Sequence, residues 1–460
     1  MSMPRGPSEL RADAERIWCA GVAAVMPERL IRSKVRVDGN SLVVGDQVVD
    51  LRDIECIAIV GAGKAAGAMA VALENVLGPR LLAQKNVSGW VNVPADCVVP
   101  TQRIHLHAAR PAGVNEPRPE GVEGTQRILE IASSLGPADL CFCLLTGGGS
   151  ALLPAPVAEI SLDDKIFVTR LLSAAGANIE QLNIVRRQLS RVKGGGLALA
   201  CRAGRLFTLL ISDVLGDSLE AIASGPTVPS ATTAMDALAV LEELGLIAEP
   251  AIQPVVRYLQ QKGRESFSTG DRGPVLTHLV LGNNTTAVDA AGIEAERMGY
   301  SHAMIAANKP EGSAEEVGRH VADMALRMRV ELGPNCLISG GEPTVKLVDE
   351  SRRGKGGRNQ QLALAALVAL GDCHNMVLLS AGTDGEDGPT DAAGAFVTED
   401  VVSAAHQQQL DPQDYLARND AYHFFQPTGG LFITGPTQTN VCDLRVVVVN
   451  RETSESGRRW

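Results

Sequence analysis

The sequence predicts an α/β protein of two domains built on mainly parallel sheets, and three observations carry that reading. Short apolar, β-rich runs end in glycine clusters and are followed by alanine- and leucine-rich helical stretches. These runs are continuously apolar rather than alternating, as in strands covered on both faces. The chain of 460 residues, at roughly 150 residues per domain, has room for two or three cores.

In chain order, IECIAIV leads into GAGKAAGAMAVALENVL, DLCFCLL into TGGGSALL, and FTLLISDV into LGDSLEAIASGP. THLVLG then leads into NNTTAVDAAGIEAERMG, and MVLLSAG into TDGEDGPTDAAG. TTAMDALAVLEELG and PAIQPVVRYLQQKG have helical spacing alone, punctuated by Pro250, Pro254 and Gly263. The expected organisation is a first α/β domain over 1–230, a helical connection over 231–274 and a second α/β domain over 275–460.

Composition narrows the function. The balance of 42 basic and 53 acidic residues gives a net charge of −11, and 8 Phe, 3 Trp and 4 Tyr leave little surface for base stacking, so nucleic acid is not expected as a partner. Any anionic ligand must be held by a local field of a few cations and backbone amides. Nine cysteines, odd in number and without a C-x-x-C, read as thiols of a reducing compartment. No apolar run approaches the roughly 20 residues that span a bilayer. The amino terminus carries Glu9, Asp13 and Glu15 and no apolar signal region, so a cytoplasmic location is expected.

The glycine clusters fall at strand ends, where open α/β sheets bind ligands. GAGKAAG supplies Gly61, Gly63 and Lys64 at the start of a helix. A lysine there is disfavoured by the helix dipole unless an anion neutralises it, so a phosphate or carboxylate ligand is expected. The competing reading is a tight turn with a solvated lysine. TGGGS, with Thr146, Gly147, Gly148, Gly149 and Ser150, can form a nest of N–H donors or a plain packing turn. Similar clusters recur at Lys193–Gly194, at Gly340–Glu342 and in GKGGRNQQ, which sets Arg358 at another helix start; together they suit a polyanion such as a nucleoside triphosphate. In NIVRRQLSRVKGGG, Arg187 and Arg191 share a helical face while Arg186 and Lys193 lie on other azimuths; such charges commonly solvate a helix, but the glycine run that follows argues against that use here.

Asp213 in ISDVLGDS and Asp384 in SAGTDGEDG follow strong apolar strands, where a carboxylate can help hold magnesium or accept a hydroxyl proton. Asp387 and Asp391 read as turn and capping residues. His105 and His107, with Cys141 and Cys143, allow a zinc site between strands, although core packing is the commoner use of such cysteines.

VGAGKAAGAMA, LLTGGGSALLPAP, LNIVRRQLSRVKGGGLA, ISDVLGDSLEAIASGPT, ISGGEPTVKL, GKGGRNQQLALA, LSAGTDGEDGPTDAAGA and TGPTQTNVCDLRVVV together resemble the class II glycerate kinases, the MOFRL-domain glycerate 2-kinases. The likeness runs from about residue 10 to 450. It implies a Rossmann-like first domain, a MOFRL-type second domain and an active site in the cleft between them. It also implies magnesium-assisted transfer of the γ-phosphoryl group of ATP to the 2-hydroxyl of D-glycerate, with a homodimer as a possible assembly. The family's catalytic lysine and arginine fall on Lys64 and Arg358, and its acidic positions on Asp213 and Asp384; either aspartate could orient the metal or take the proton. Gln438 and Cys442 stand where the motif has Gly and Asn, Gln361 where Glu is common, and HAARPAG replaces a His-Pro segment. A nicotinamide-dependent hydroxypyruvate reductase and a non-catalytic phosphometabolite sensor are the alternative readings.

Overall fold

A computed structural model describes residues 5–114, 116–263 and 273–451. The chain divides into a unit of residues 27–281 and a unit formed by residues 1–26 together with 282–460. The first unit thus spans 27–281 where 1–230 was expected, and residues before 27 group with the second.

The 27–281 unit opens with an antiparallel meander, β1 (Val35–Asp38), β2 (Ser41–Val44) and β3 (Gln47–Asp50). Its main sheet comprises β4 (Ile57–Ala62), β5 (Ser88–Pro94), β6 (Ile104–Arg110), β7 (Leu140–Leu145), β8 (Arg205–Ile211) and β9 (Val275–Gly282), in the order β6-β5-β4-β7-β8-β9. The pairings among β4 to β8 are all parallel. Every residue of β4 and β7 is buried, as their unbroken apolar sequences require. Ala58, Val60, Cys141, Cys143 and Leu206 pack with Ile128, Leu129 and Ala132 of the Pro119–Ser134 helix.

The helices expected to connect two domains belong to this unit instead. Ala234–Glu243 and Gln253–Lys262 pack with Leu162–Ala174 and Ile179–Gln188 around Val168, Leu172, Val185, Leu241, Val255 and Leu259. Their apolar faces bury one another, so the segment forms a helical layer rather than a linker.

In the other unit, β10 (His302–Ala306), β11 (Cys336–Gly341), β12 (Met376–Gly382), β13 (Gly394–Val397), β14 (Leu431–Phe432) and β15 (Asp443–Val449) form a sheet ordered β10-β11-β15-β12-β13-β14. β10 and β11 are parallel, and β15 enters antiparallel between β11 and β12. It follows the TGPTQTN loop with no crossover helix, and the direct return dictates its direction. The Pro7–Ala24 helix packs here too. Its Trp18 is buried edge-on against Phe432 at 5.0 Å and donates its indole N–H to the Ala381 carbonyl at 3.4 Å. Asp13 accepts from the Tyr300 hydroxyl at 2.6 Å.

Candidate functional site

In the 27–281 unit, two strand-end loops lock together. The Lys64 N–H donates to the Gly147 carbonyl at 2.9 Å, and Thr146 Oγ1 accepts from the Ala65 N–H at 3.1 Å. A Cβ at Gly63 would lie 2.0 Å from that Thr146 oxygen, so only glycine permits the approach. Gly61 is equally constrained, because a Cβ there would meet the Leu144 carbonyl oxygen at 2.1 Å. Gly148 has φ +77° and opens the short Gly149–Leu152 helix, and a Cβ there would meet the Arg110 guanidinium at 3.3 Å and Lys64 Cγ at 3.9 Å. Two cations thus flank the TGGGS turn. Arg110 ends β6 and is buried. Its place beside the turn carried no signal beyond its membership of HAARPAG.

Lys193 is also buried, and its ammonium donates to the Ser150 carbonyl at 3.0 Å, to Ser150 Oγ at 2.5 Å and to Ser224 Oγ at 3.3 Å. Ser224 in turn donates to Asn183 Oδ1 at 2.9 Å. Lys193 therefore anchors Ser150. The amides after it correct an expectation: the Gly194 and Gly195 N–H groups donate to the carbonyls of Ser224 and Gly225 at 3.0 and 2.8 Å, and so brace a loop rather than cradle ligand oxygens. Glycine is needed there because a Cβ on Gly195 would stand 2.9 Å from Pro229 Cα.

A cavity of about 330 Å³ lies in this unit, lined by Thr146, Gly148, Gly149 and Ser150 of the turn, Lys165, Arg186, Lys193 and Asp213, with Glu116 and Arg170 among the others. Arg186 is half-buried, whereas its neighbour Arg187 turns inward to Ser230 Oγ and the Glu220 carbonyl at 3.2 and 2.9 Å. Burial, followed by the charges of Lys165, Arg186 and Arg187, drives the Lys193 ammonium well below its ordinary pKa. Burial lowers Arg186 also. Cations that depress one another's proton affinity in this way are stabilised by an anion among them.

The second group of expected residues gathers in the other unit. Arg358 begins the Arg358–Leu370 helix, and its guanidinium grips Asp443 through Nε and Nη2 at 2.8 and 3.0 Å and Glu342 through Nη1 at 2.8 Å. Burial disfavours this guanidinium, but the Asp443 and Glu342 carboxylates outweigh it and raise its pKa. Burial also raises the Glu342 carboxyl, although 43% of its side chain reaches solvent; Asp443 and Asp384 act in the same direction and Arg358 opposes them. Arg358 thus has protein partners of its own as well as a partly exposed face. Asp384 accepts the Glu386 N–H at 3.1 Å across its own turn. Asp387 caps the Arg358 helix, accepting from the Asn359 and Gln360 N–H groups at 3.0 and 2.8 Å, and Asp391 accepts from the Tyr422 hydroxyl at 2.8 Å. Gly340 admits Asn284, whose Oδ1 would be 1.9 Å from a Cβ there.

Gln438 and Cys442, the two departures in TGPTQTNVCD, both adopt left-handed backbone, with φ of 67° and 69°. Glycine and asparagine are the residues that tolerate this region best. No group of three His, Cys, Asp or Glu side chains able to hold a metal ion exists among the described residues. The zinc alternative fails accordingly: His105 and His107 stack with Trp90 at 4.0 and 5.2 Å, and Cys141 and Cys143 lie in the core.

Fold and sites define a two-unit α/β protein whose glycine-rich loops stand at strand ends, with Arg110, Lys165 and Lys193 buried in the 27–281 unit. The family model described as "Domain of unknown function (DUF4147)" matches residues 13–260, and the model described as "MOFRL family" matches residues 335–443. The chain belongs to the MOFRL-family glycerate kinases. Glycerate kinase of Mus musculus is 35% identical, with 96% of this chain and 93% of that protein covered. D-glycerate 2-kinase of Thermotoga maritima is 34% identical over 96% of this chain and 99% of its own length. The crystal structure of glycerate kinase from Thermotoga maritima superposes with a TM-score of 0.80 at 33% identity, covering 96% of this chain and all of that one.

Proposed function

We propose that this chain transfers the γ-phosphoryl group of ATP to the 2-hydroxyl of D-glycerate, giving 2-phospho-D-glycerate and ADP. The observation that carries the reading is the cationic cavity beside the TGGGS turn, in a chain that resembles D-glycerate 2-kinase along nearly its whole length. Phosphoryl transfer asks for positioning and charge neutralisation more than for covalent chemistry. On this reading Lys64 and Arg110, which flank the turn, neutralise transferring oxygens and Lys193 fixes Ser150, while Arg358, held by Asp443, keeps a partly exposed guanidinium as a candidate anion clamp.

Asp213 and Asp384 are the candidates for receiving the hydroxyl proton and for holding magnesium. Single carboxylates at strand ends fit an ion that keeps its waters and arrives with the nucleotide, as magnesium does. When bound, the ion would supply positive charge to the phosphate oxygens. We place the enzyme in the cytoplasm on its cysteine usage and offer a homodimer for testing by light scattering.

ADP release with D-glycerate, run beside NADH oxidation with hydroxypyruvate, tests the reading. Magnesium-dependent ADP formation abolished by chelator supports it. NADH oxidation without ADP formation would replace it with the reductase. Raising magnesium should partly rescue the Asp→Asn variant at the metal-contacting position and leave the proton acceptor's variant unrescued.

A further inference from the structure

Lys165 lies on the Leu162–Ala174 helix, in LDDKIFVTR, where the sequence offers only another charged helical position. It is 4% exposed and lines the cavity, yet its ammonium nitrogen makes no hydrogen bond. Leaving a charged group buried and unpaired costs far more than a solvated lysine would, so such a group marks the place of a missing counter-charge. The neighbouring charge is of the wrong sign. Arg186, from the Ile179–Gln188 helix, adds its repulsion to the burial that already lowers the Lys165 ammonium.

The origin of these cations separates them from the others. Ser150 follows β7 and is bonded to Lys193, which lies in the turn beyond the Ile179–Gln188 helix, while Lys165 and Arg186 stand on the two helices of the helical layer themselves. The lining also contains the carboxylates of Asp213 and Glu116. A polyphosphate is repelled by carboxylates and offers them no proton. A hydroxy acid differs: its carboxylate needs cations and its hydroxyls need acceptors.

We infer that Lys165 and Arg186 form the subsite for the carboxylate of a small 2-hydroxy acid, and that Lys165 determines specificity for the acceptor substrate rather than for ATP. The inference rests on the kinase reading and deepens it. The hydroxyls are then directed towards the acidic part of the lining, where Asp213 lies. A neutral polyol of the same size lacks the group that compensates Lys165 and is rejected.

The test is a split of Michaelis constants in Lys165→Met and in the charge-retaining Lys165→Arg, with thermal melting as the control for folding. Losing one charge-assisted hydrogen bond should raise KM for D-glycerate about ten- to hundredfold in Lys165→Met, with KM for ATP within about twofold of wild type. Lys165→Arg should recover part of the loss. A rise in KM for ATP alone, or no change in either constant, overturns the assignment. Calorimetric titration of D-glycerate into wild type and Lys165→Met keeps the two readings apart. If wild type binds D-glycerate but does not phosphorylate it, the kinase reading fails, and weaker binding to Lys165→Met still supports the subsite. If wild type does not bind D-glycerate, the subsite is refuted.

Discussion

Arg358 and Asp443 form a two-pronged ion pair, Nε to Oδ2 at 2.8 Å and Nη2 to Oδ1 at 3.0 Å, with the carboxylate fully buried and the guanidinium one-third exposed. The arginine is thus both a candidate anion clamp and the counter-charge that grips buried Asp443 through two bonds. Arg358→Ala should destabilise the protein by about 3 kcal/mol, because it strands a buried carboxylate. Arg358→Lys should retain more of the stability and still lose most turnover, since a point charge cannot replace a planar fork. Urea melts beside ADP release separate the two effects; full activity in a folded Arg358→Lys protein would exclude a bidentate contact with substrate.

Lys64 behaves differently. Its backbone joins the two loops, but the side chain is only half-buried beside Gly148. Lys64→Ala should leave circular dichroism unchanged and lower turnover by about a hundredfold or more. Wild-type rates in the folded variant would remove it from the mechanism.

Strain at the two positive-φ positions is open to direct measurement. Gln438→Gly should stabilise by roughly 1 kcal/mol, the cost of a left-handed side-chain residue less the added freedom of the unfolded glycine. Tm should rise by about 2–4 °C. Gln438→Val should lower it, and identical melting of all three proteins would show that φ at 438 carries no strain.

The pH dependence follows from Lys165. Burial, with Arg186 beside it, holds the ammonium down to about 7, against 10.5 for an ordinary lysine. Between these values the unfolded chain binds more protons than the folded one, so this group's contribution to stability rises with pH across that window and its penalty is full below about 7. Lys165→Met should therefore be more stable than wild type near neutrality, with the advantage shrinking towards about pH 9. Glycerate affinity should move the opposite way in wild type, falling as the ammonium is lost. An advantage independent of pH would mean that Lys165 is not titrating in this range.

Much of the fold was legible because the informative residues are of types with few uses. Unbroken runs such as LCFCLL and IAIV admit little besides buried strands, and the glycines at 61, 63 and 148 stand where backbones touch or turn left-handed. Lys165 was not legible, since LDDKIFVTR gives the same helical periodicity whether its lysine faces water or a cavity. Arg110 and Asp443 were hidden for a related reason: Gly148, beside which Arg110 lies, and Arg358, which grips Asp443, are remote from them in sequence. Tertiary pairing also moved the 234–262 helices into the first unit and set β15 antiparallel between two parallel strands.

That placement of β15 has a consequence for synthesis on the ribosome. The 27–281 unit is a continuous stretch and can fold as soon as it has emerged. The Pro7–Ala24 helix emerges earlier and must wait, because Leu444 and Phe432, against which its buried face packs, are made only after the whole 27–281 unit. Until then Leu10, Ile17 and Trp18 are apolar surface on a nascent chain, and the interior position of β15 cannot be filled. A ribosome stalled before residue 443 would hold one finished unit and one that is still open, with the Pro7–Ala24 helix as the surface offered to a chaperone.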